Sequence, residues 1–475
     1  MSQENDERRI RRRPYLKAVG AGVVSAGLAG CTGSGGGDGG GGGDGGDGGG
    51  DGGGSGGDGD GGGDGGGGDG GDGGGSSGGD TFTVGAVYPL SGGVAETGQN
   101  IQRFIRAAAN EVINKPQSDL DPLVLASGEG LPNLGGATVE VVFADHRGDP
   151  GQGRSEAERL VQEEEVDMLV GGYHSSVTKT ISQVAEREQV PHVNFESSSP
   201  DLTERGLSWF WRTGPHDLTF SRNMFQFFDG LNERMDAGIE SVAIIHEDTE
   251  FGSISAETQV QLAEEFGYEI VAGPIAYTAE SVTSLSSEVQ RIQQADPDVL
   301  LPASYIRDAE ILLNDMQTLG YFPPMIMAQD AGFNQPSFIE NTEISDYTCS
   351  RSTYASDMTD SVEEIGRYNS FMSEQTGTEF NGVYIRSFGG FLSAMKAVDN
   401  AGSTEPGAIQ SALNELQLDS LASGMPYGIE FDDNNQNAEA SGVLIQYEGG
   451  SSNLVWPFDL ASTDVVYPAP GWDER

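Results

Sequence analysis

The strongest restriction on what this chain can fold into is a repeated alternation of short apolar runs with longer amphipathic stretches. Residues 83–88 read as a strand, and 99–114 as a helix with Ile101, Ile105, Ala108 and Val112 at three- and four-residue steps. Strands at 139–143, 166–170 and 191–195 then alternate with helices at 153–164 and 178–188. After Trp211-Arg212-Thr213-Gly214-Pro215 the series restarts, with helices at 221–234, 255–266, 284–294 and 309–319 and strands at 241–246, 268–272, 299–302 and 324–328. Strands separated by crossover helices predict parallel sheets covered on both faces. Two such series predict an α/β fold of two doubly wound parallel-sheet lobes, with Gly214-Pro215 as a first crossing between them. In paired open sheets of this kind a ligand lies at the carboxyl ends of the strands, which here means the cleft between lobes.

The start of the chain reads as an address. Arg12-Arg13-Pro14-Tyr15-Leu16-Lys17 precedes a short apolar run over 18–29, the order of a twin-arginine export signal. That run falls short of the roughly 20 apolar residues a spanning helix needs. It ends in Leu28-Ala29-Gly30-Cys31, which resembles a lipobox, so residues 1–31 are expected to be a signal with Cys31 as the lipid attachment point. A lipid on Cys31 tethers a protein to the membrane without spanning it. Residues 32–80 are almost wholly Gly, Asp and Ser, with nothing apolar to bury, and are expected to form an extended tether. The folded part is thus expected to begin near Thr81.

Acidic residues number 74 against 25 basic ones, a formal charge of −49. The tether holds only about ten of the aspartates, so the excess covers the domain itself, as in Glu163-Glu164-Glu165. Nucleic acid is excluded as a partner on this ground, because phosphate binding needs clustered Lys and Arg. A carboxylate-covered surface with scarce lysine points to a saline habitat, where self-repulsion is screened; an ordinary acidic extracellular protein is the alternative. With Cys31 given to lipid, Cys349 has no partner in the chain and stability must come from the core.

Catalytic and cofactor motifs are wanting. The five histidines, His146, His174, His192, His216 and His246, lack metal-ligand spacing. Gly171-Gly172-Tyr173-His174-Ser175 is no nucleophile elbow, and residues 85–98 contain no Gly-x-Gly-x-x-Gly. No cofactor, no metal and no enzymatic activity are expected.

A family likeness emerges at Val84-Gly85-Ala86-Val87-Tyr88-Pro89-Leu90-Ser91-Gly92 and recurs at Asp149-Pro150, Ala157-Glu158-Arg159-Leu160, Ser175-Ser176, Ser199-Pro200-Asp201-Leu202-Thr203, Trp211-Arg212-Thr213, Val242-Ala243-Ile244-Ile245, Phe251-Gly252 and Ile429-Glu430-Phe431-Asp432. On these residues the chain resembles the branched-chain amino acid (leucine/isoleucine/valine) binding family. These are type I periplasmic solute-binding proteins of ABC transporters, here in a haloarchaeal lipoprotein form. The resemblance implies two lobes joined by three crossings: 81–214 with 357–440 as the N-terminal lobe, and 215–356 with 441–475 as the C-terminal lobe and tail. It implies a monomeric extracellular receptor, lipid-anchored at the outer membrane face, that closes on an amino acid, amide or small carboxylate and delivers it to the permease subunits of an ABC importer. Feeding ligand occupancy to a chemotransducer, or hydrolysis at Ser175, are the alternatives. Residues 116–133 are expected to form an inserted surface loop.

An amino acid presents a carboxylate beside an ammonium. Serines where a strand meets a helix can hold a carboxylate with hydroxyls and free backbone N–H groups. Ser175 and Ser176 stand at one such turn and Ser197, Ser198 and Ser199 at the next; alone, each reads equally as a helix N-cap. By motif position, Ser175 corresponds to a family carboxylate contact, and Ser197 and Ser199 fall near its paired small-residue contacts. Asp330 falls at the acidic contact for the ammonium, or else caps the turn before Gly332. Phe251 aligns with an aromatic that covers the ligand and Tyr305 lies near a second. Glu96 and Thr97 stand where the family places a bulky wall residue, with Thr97 taken as a contact.

Overall fold

A computed structural model describes residues 81–279 and 281–475. The signal and the tether over 1–80, and with them Cys31, lie outside the described residues.

The first series of runs builds a five-stranded parallel sheet of β1 (Thr81–Tyr88), β2 (Thr138–Asp145), β3 (Met168–Gly171), β4 (His192–Asn194) and β5 (Phe210–Arg212), in the order β2-β1-β3-β4-β5. Side chains on β1 alternate between two cores, as a strand with period two demands. Phe82, Val84, Ala86 and Tyr88 join the core that contains Ile101, Phe104 and Ile105, while Val87 joins Leu160, Val177 and Ile181. Gly85 lies on the crowded second face, where a Cβ would sit 3.0 Å from Leu169 and Val166 and 3.1 Å from Leu160.

The second series builds β6 (Ser241–Glu247), β7 (Glu269–Tyr277), β8 (Val299–Ala303), β9 (Met325–Ala328) and β10 (Cys349–Ser352), again parallel. A small ribbon, β11 (Gln417–Leu418) with β12 (Ile429–Glu430), precedes the hairpin β13 (Val443–Glu448) and β14 (Ser451–Trp456). The hairpin extends the second sheet antiparallel to β10, giving the order β14-β13-β10-β9-β8-β6-β7. The chain passes between the sheets three times. It leaves β5 for the helix Asp217–Met235. After β10 it returns to the first lobe, where the helix Gly382–Ala401 packs on Ala95–Ala107. Beyond β12 it enters β13.

Two sequence expectations are refined. The helix expected over 99–114 begins at Ala95 and widens into a π turn over Ala108–Ile113. Residues 116–133 run irregularly over the surface as expected, with half of them exposed, but they are pinned rather than free: Leu120, Leu123, Ala126 and Leu131 are each at most 4% exposed. Val124 donates its N–H to Ala422 O at 2.9 Å, and Arg367 donates to the carbonyls of Asp119 and Asp121, both at 2.8 Å. The apolar residues there lack any helical period, so they bury themselves as an irregular plug against the later chain.

Candidate functional site

The carboxyl ends of both sheets face each other across a small, tightly drawn cavity of about 20 Å3. From the first lobe, Tyr173 and Ser175 follow β3, Glu196 and Ser198 follow β4, and Val383 and Arg386 come from the helix Gly382–Ala401. From the second, Phe251 follows β6, Tyr305 follows β8, Asp330 and Ala331 follow β9, and Arg351 sits on β10. The turn after β3 is possible because Gly172 adopts φ +120, with a would-be Cβ 2.0 Å from Thr178 Oγ1.

Charge dominates the floor of the cavity. Asp330 Oδ2 accepts from Arg351 Nη1 at 2.9 Å and from Arg386 Nη2 at 2.8 Å, and its Oδ1 accepts from Asn334 Nδ2. Arg351 Nη2 also donates to Asp217 Oδ1 at 3.1 Å and to Ser198 Oγ at 3.2 Å, and its guanidinium lies 3.8 Å from the centroid of Phe220. Burial pulls Arg351 below its ordinary value, opposed by Asp330 and Asp217; burial raises Asp217, opposed chiefly by Arg351. Two acids thus meet two bases with almost no exposed surface, a network whose members depend on one another.

Glu196 stands apart from that network. Its Oε1 accepts from Ser387 Oγ at 2.6 Å and from Tyr88 OH at 3.1 Å, while its Oε2 has no partner. Burial pushes its carboxyl up to about 7, against the lowering influence of Ser387, Arg386 and Tyr88. Arg386 Nη1 and Arg351 Nε are likewise buried without partners.

The lobes are drawn together over this cavity. Lys179 Nζ pairs with Glu250 Oε1 at 2.8 Å between the helices Ser175–Glu188 and Glu250–Phe266, and Ser337 Oγ donates to Glu96 Oε2 at 3.0 Å. Rings of Phe251 and Tyr305 lie 5.4 Å apart, with Tyr173 6.1 Å from Tyr305.

Of the residues singled out in the sequence, Ser175, Ser198, Phe251, Tyr305 and Asp330 line the cavity. Ser175 opens its helix but is not the cap, and its Oγ accepts from Ser199 N at 3.4 Å. Asp330 makes no side-chain cap; its oxygens serve the two arginines and Asn334 in place of a free ammonium acceptor. Ser176, Ser197, Ser199 and Thr97 are not on the wall. Ser197 Oγ is spent on Thr178 Oγ1 at 2.6 Å and Tyr173 O at 2.9 Å, tying the β3 and β4 turns together. Ser199 O accepts from Arg212 Nη1 at 2.6 Å. Sequence reasoning missed Glu196, Arg351 and Arg386. The available signal was their setting: Arg386 interrupts an otherwise apolar helix face, and Arg351 sits in a strand, in a chain with only 25 basic residues.

Among the described residues no group of His, Cys, Asp and Glu is placed to hold a metal ion, and no helix is long and apolar enough to cross a membrane. Cys349 is buried, with its thiol pushed up to about 12 by burial.

Comparison with known proteins agrees with this architecture. The Leu/Ile/Val-binding protein homolog 7 of Brucella abortus is 25% identical over 396 residues, covering 81% of this chain and 94% of its own. Homolog 8 of Brucella suis is 24% identical over 392 residues, 79% of this chain and 91% of its own. Among solved structures, the leucine-binding protein LivK of Thermotoga maritima superposes with a TM-score of 0.66 at 20% identity, covering 80% of this chain and all of that one. A solute-binding protein of an ABC transporter from Rhodopseudomonas palustris, in complex with 3,4-dihydroxybenzoic acid, gives 0.65 at 16% identity, covering 82% and 99%. At these identities the two structures establish the two-lobed fold alone. By name these are binding proteins and not enzymes. The family described as Periplasmic binding protein matches residues 81–451 of the 475, and the chain belongs to that family.

Proposed function

We propose that the protein is an extracellular receptor of an ABC importer, closing two lobes over a small organic solute and handing it to a permease. The observation that carries this reading is a cavity walled in nearly equal parts by the strand ends of two lobes, which Lys179 and Glu250 also join by an ion pair. Such a site can trap a guest by hinge closure without any group placed to alter it. Relatives named for leucine, isoleucine and valine, and a solved structure holding 3,4-dihydroxybenzoic acid, support a guest the size of an amino acid or small acid. In this reading Cys31 carries a lipid, residues 32–80 tether the domain at the outer membrane face, and the acidic surface suits a saline medium; dialysis into dilute buffer is then expected to unfold the domain, and a domain folded there removes the saline reading. The receptor reading is tested by a thermal-shift screen of amino acids, amides and small carboxylates in concentrated salt, with small-angle scattering on any hit. A stabilising solute that compacts the protein is expected; a panel in which nothing binds refutes the reading.

A further inference from the structure

We propose that the solute is an organic acid whose carboxylate is received by Arg386 beside Glu196, and that its binding draws a proton from solvent onto Glu196. The proposal rests on the receptor reading and specifies the chemistry of the same cavity.

The buried charges restrict what can enter. Asp217 and Asp330 oppose Arg351 and Arg386, two negative against two positive, and both oxygens of Asp330 are already engaged. An ammonium group therefore finds no free carboxylate on the second lobe's wall. An acceptor, by contrast, is wanted. Arg386 lines the cavity, is 2% exposed, and leaves Nη1 without a partner. An unpaired guanidinium N–H at such depth is costly, and a ligand carboxylate satisfies it with a charge-assisted bond.

Glu196 decides the proton balance. Arg386 acts on it electrostatically, yet the two share no hydrogen bond; the other titratable groups near it are Tyr88 and Tyr427. Neither tyrosine supplies positive charge, and burial already outweighs Arg386, so the carboxyl is poised near neutrality. A second carboxylate arriving beside it favours its protonated form further. The gained O–H can then donate from the currently unpartnered Oε2 to the ligand. No covalent bond changes; one proton moves from water to Glu196. Tyr173, Phe251 and Tyr305 supply an aromatic wall for the remainder of the acid.

Isothermal titration of the protein in concentrated salt tests this with five probes: 4-methylpentanoate, leucine, leucinamide, benzoate and benzamide. The acids are expected to bind and their amides to fail. Acid affinity is expected to fall by up to about tenfold per pH unit above about pH 7, where a proton must be acquired, with heats that vary with the buffer's ionisation enthalpy. Glu196→Gln, which imitates the protonated carboxyl, is expected to remove both the pH dependence and the buffer effect. Leucine bound far more tightly than 4-methylpentanoate, or an amide bound as well as its acid, overturns the proposal and leaves a receptor with a different guest. Acid affinity that stays flat with pH overturns the role of Glu196. If none of the five binds, the acid assignment falls, while a thermal shift with any other solute keeps the receptor reading.

Discussion

Replacing Asp330 separates two opposing contributions that meet at one residue. Its carboxylate pairs with Arg351 and Arg386, and all three side chains are only 2–3% exposed. After Asp330→Ala, Arg351 keeps Asp217, but Arg386 loses its only ion-pair partner among the described residues. Removing one member of a buried pair costs about 3–5 kcal/mol, because the charge left behind is uncompensated. Yet the Asp330 backbone stands at φ 62 and ψ −137, a region in which only glycine is at ease and which costs other residues about 1–3 kcal/mol. Asp330→Gly abolishes the same ion pairs but releases that strain, offset in part by the ~0.4–1 kcal/mol of extra unfolded freedom a glycine brings. The alanine variant is therefore expected to lose about 3–5 kcal/mol and the glycine variant about 1 kcal/mol less. Urea denaturation in concentrated salt, followed by tryptophan fluorescence and circular dichroism, measures both. An alanine variant within about 1 kcal/mol of the parent would show that the arginines are not held by this carboxylate. A glycine variant less stable than alanine would refute the strain.

The bridge between Lys179 and Glu250 is partly exposed, so Lys179→Ala is expected to cost at most about 1 kcal/mol, read as a more open ligand-free population in small-angle scattering; an unchanged profile removes it as a latch. Glu196 and Glu247 are both raised by burial from 4.5 to about 7. The folded state then holds protons that the unfolded chain has released, so their contribution falls as pH rises from about 4.5 to about 7. His146, His192 and His216, held neutral by burial down to about 4, 4 and 3, act in the opposite sense and cost stability as pH falls below their ordinary 6.5. Between about pH 5 and pH 7.5 the melting temperature of Glu247→Gln is therefore expected to fall less with rising pH, or rise more, than that of the parent; equal slopes would contradict the assignment. Cys31→Ser is expected to release the protein into the medium, and continued membrane retention of that variant contradicts the anchor.

The alternation of runs was enough to place eight of the nine strands through β9, because a buried parallel strand is a continuous apolar run that nothing else in the chain imitates. The short β5 and β10 and the hairpin β13–β14 escaped notice. Phe210–Arg212 is too brief to show a period, and Val443–Glu448 mixes polar Gln446 and Glu448 into a run that one face only half buries. The turns carrying Ser175, Ser198 and Asp330 were legible from their places at strand ends. What the chain's order could not convey was partnership. Asp330 and Arg351 are 21 residues apart, and Asp330 and Arg386 are 56; nothing local says that these three meet, and so an acid committed to two arginines looks in sequence like an acid awaiting a guest. Ser197 illustrates the same blindness at shorter range, since a hydroxyl that ties two turns together has the same one-letter neighbours as one that faces a ligand.

The order in which the second sheet is completed carries a consequence for synthesis. Arg351 lies on β10, where it sits opposite Leu444 of β13, but residues 353–442 are threaded through the other lobe before β13 appears. A nascent chain that has emerged as far as β10 therefore already holds the partners of the Arg351 guanidinium, Asp217 and Asp330, but carries a naked sheet edge that must wait for the far end of the polypeptide before it is covered. Truncation just ahead of Val443 would leave that edge open for good, and a sticky, aggregating product is the outcome such a truncation should give.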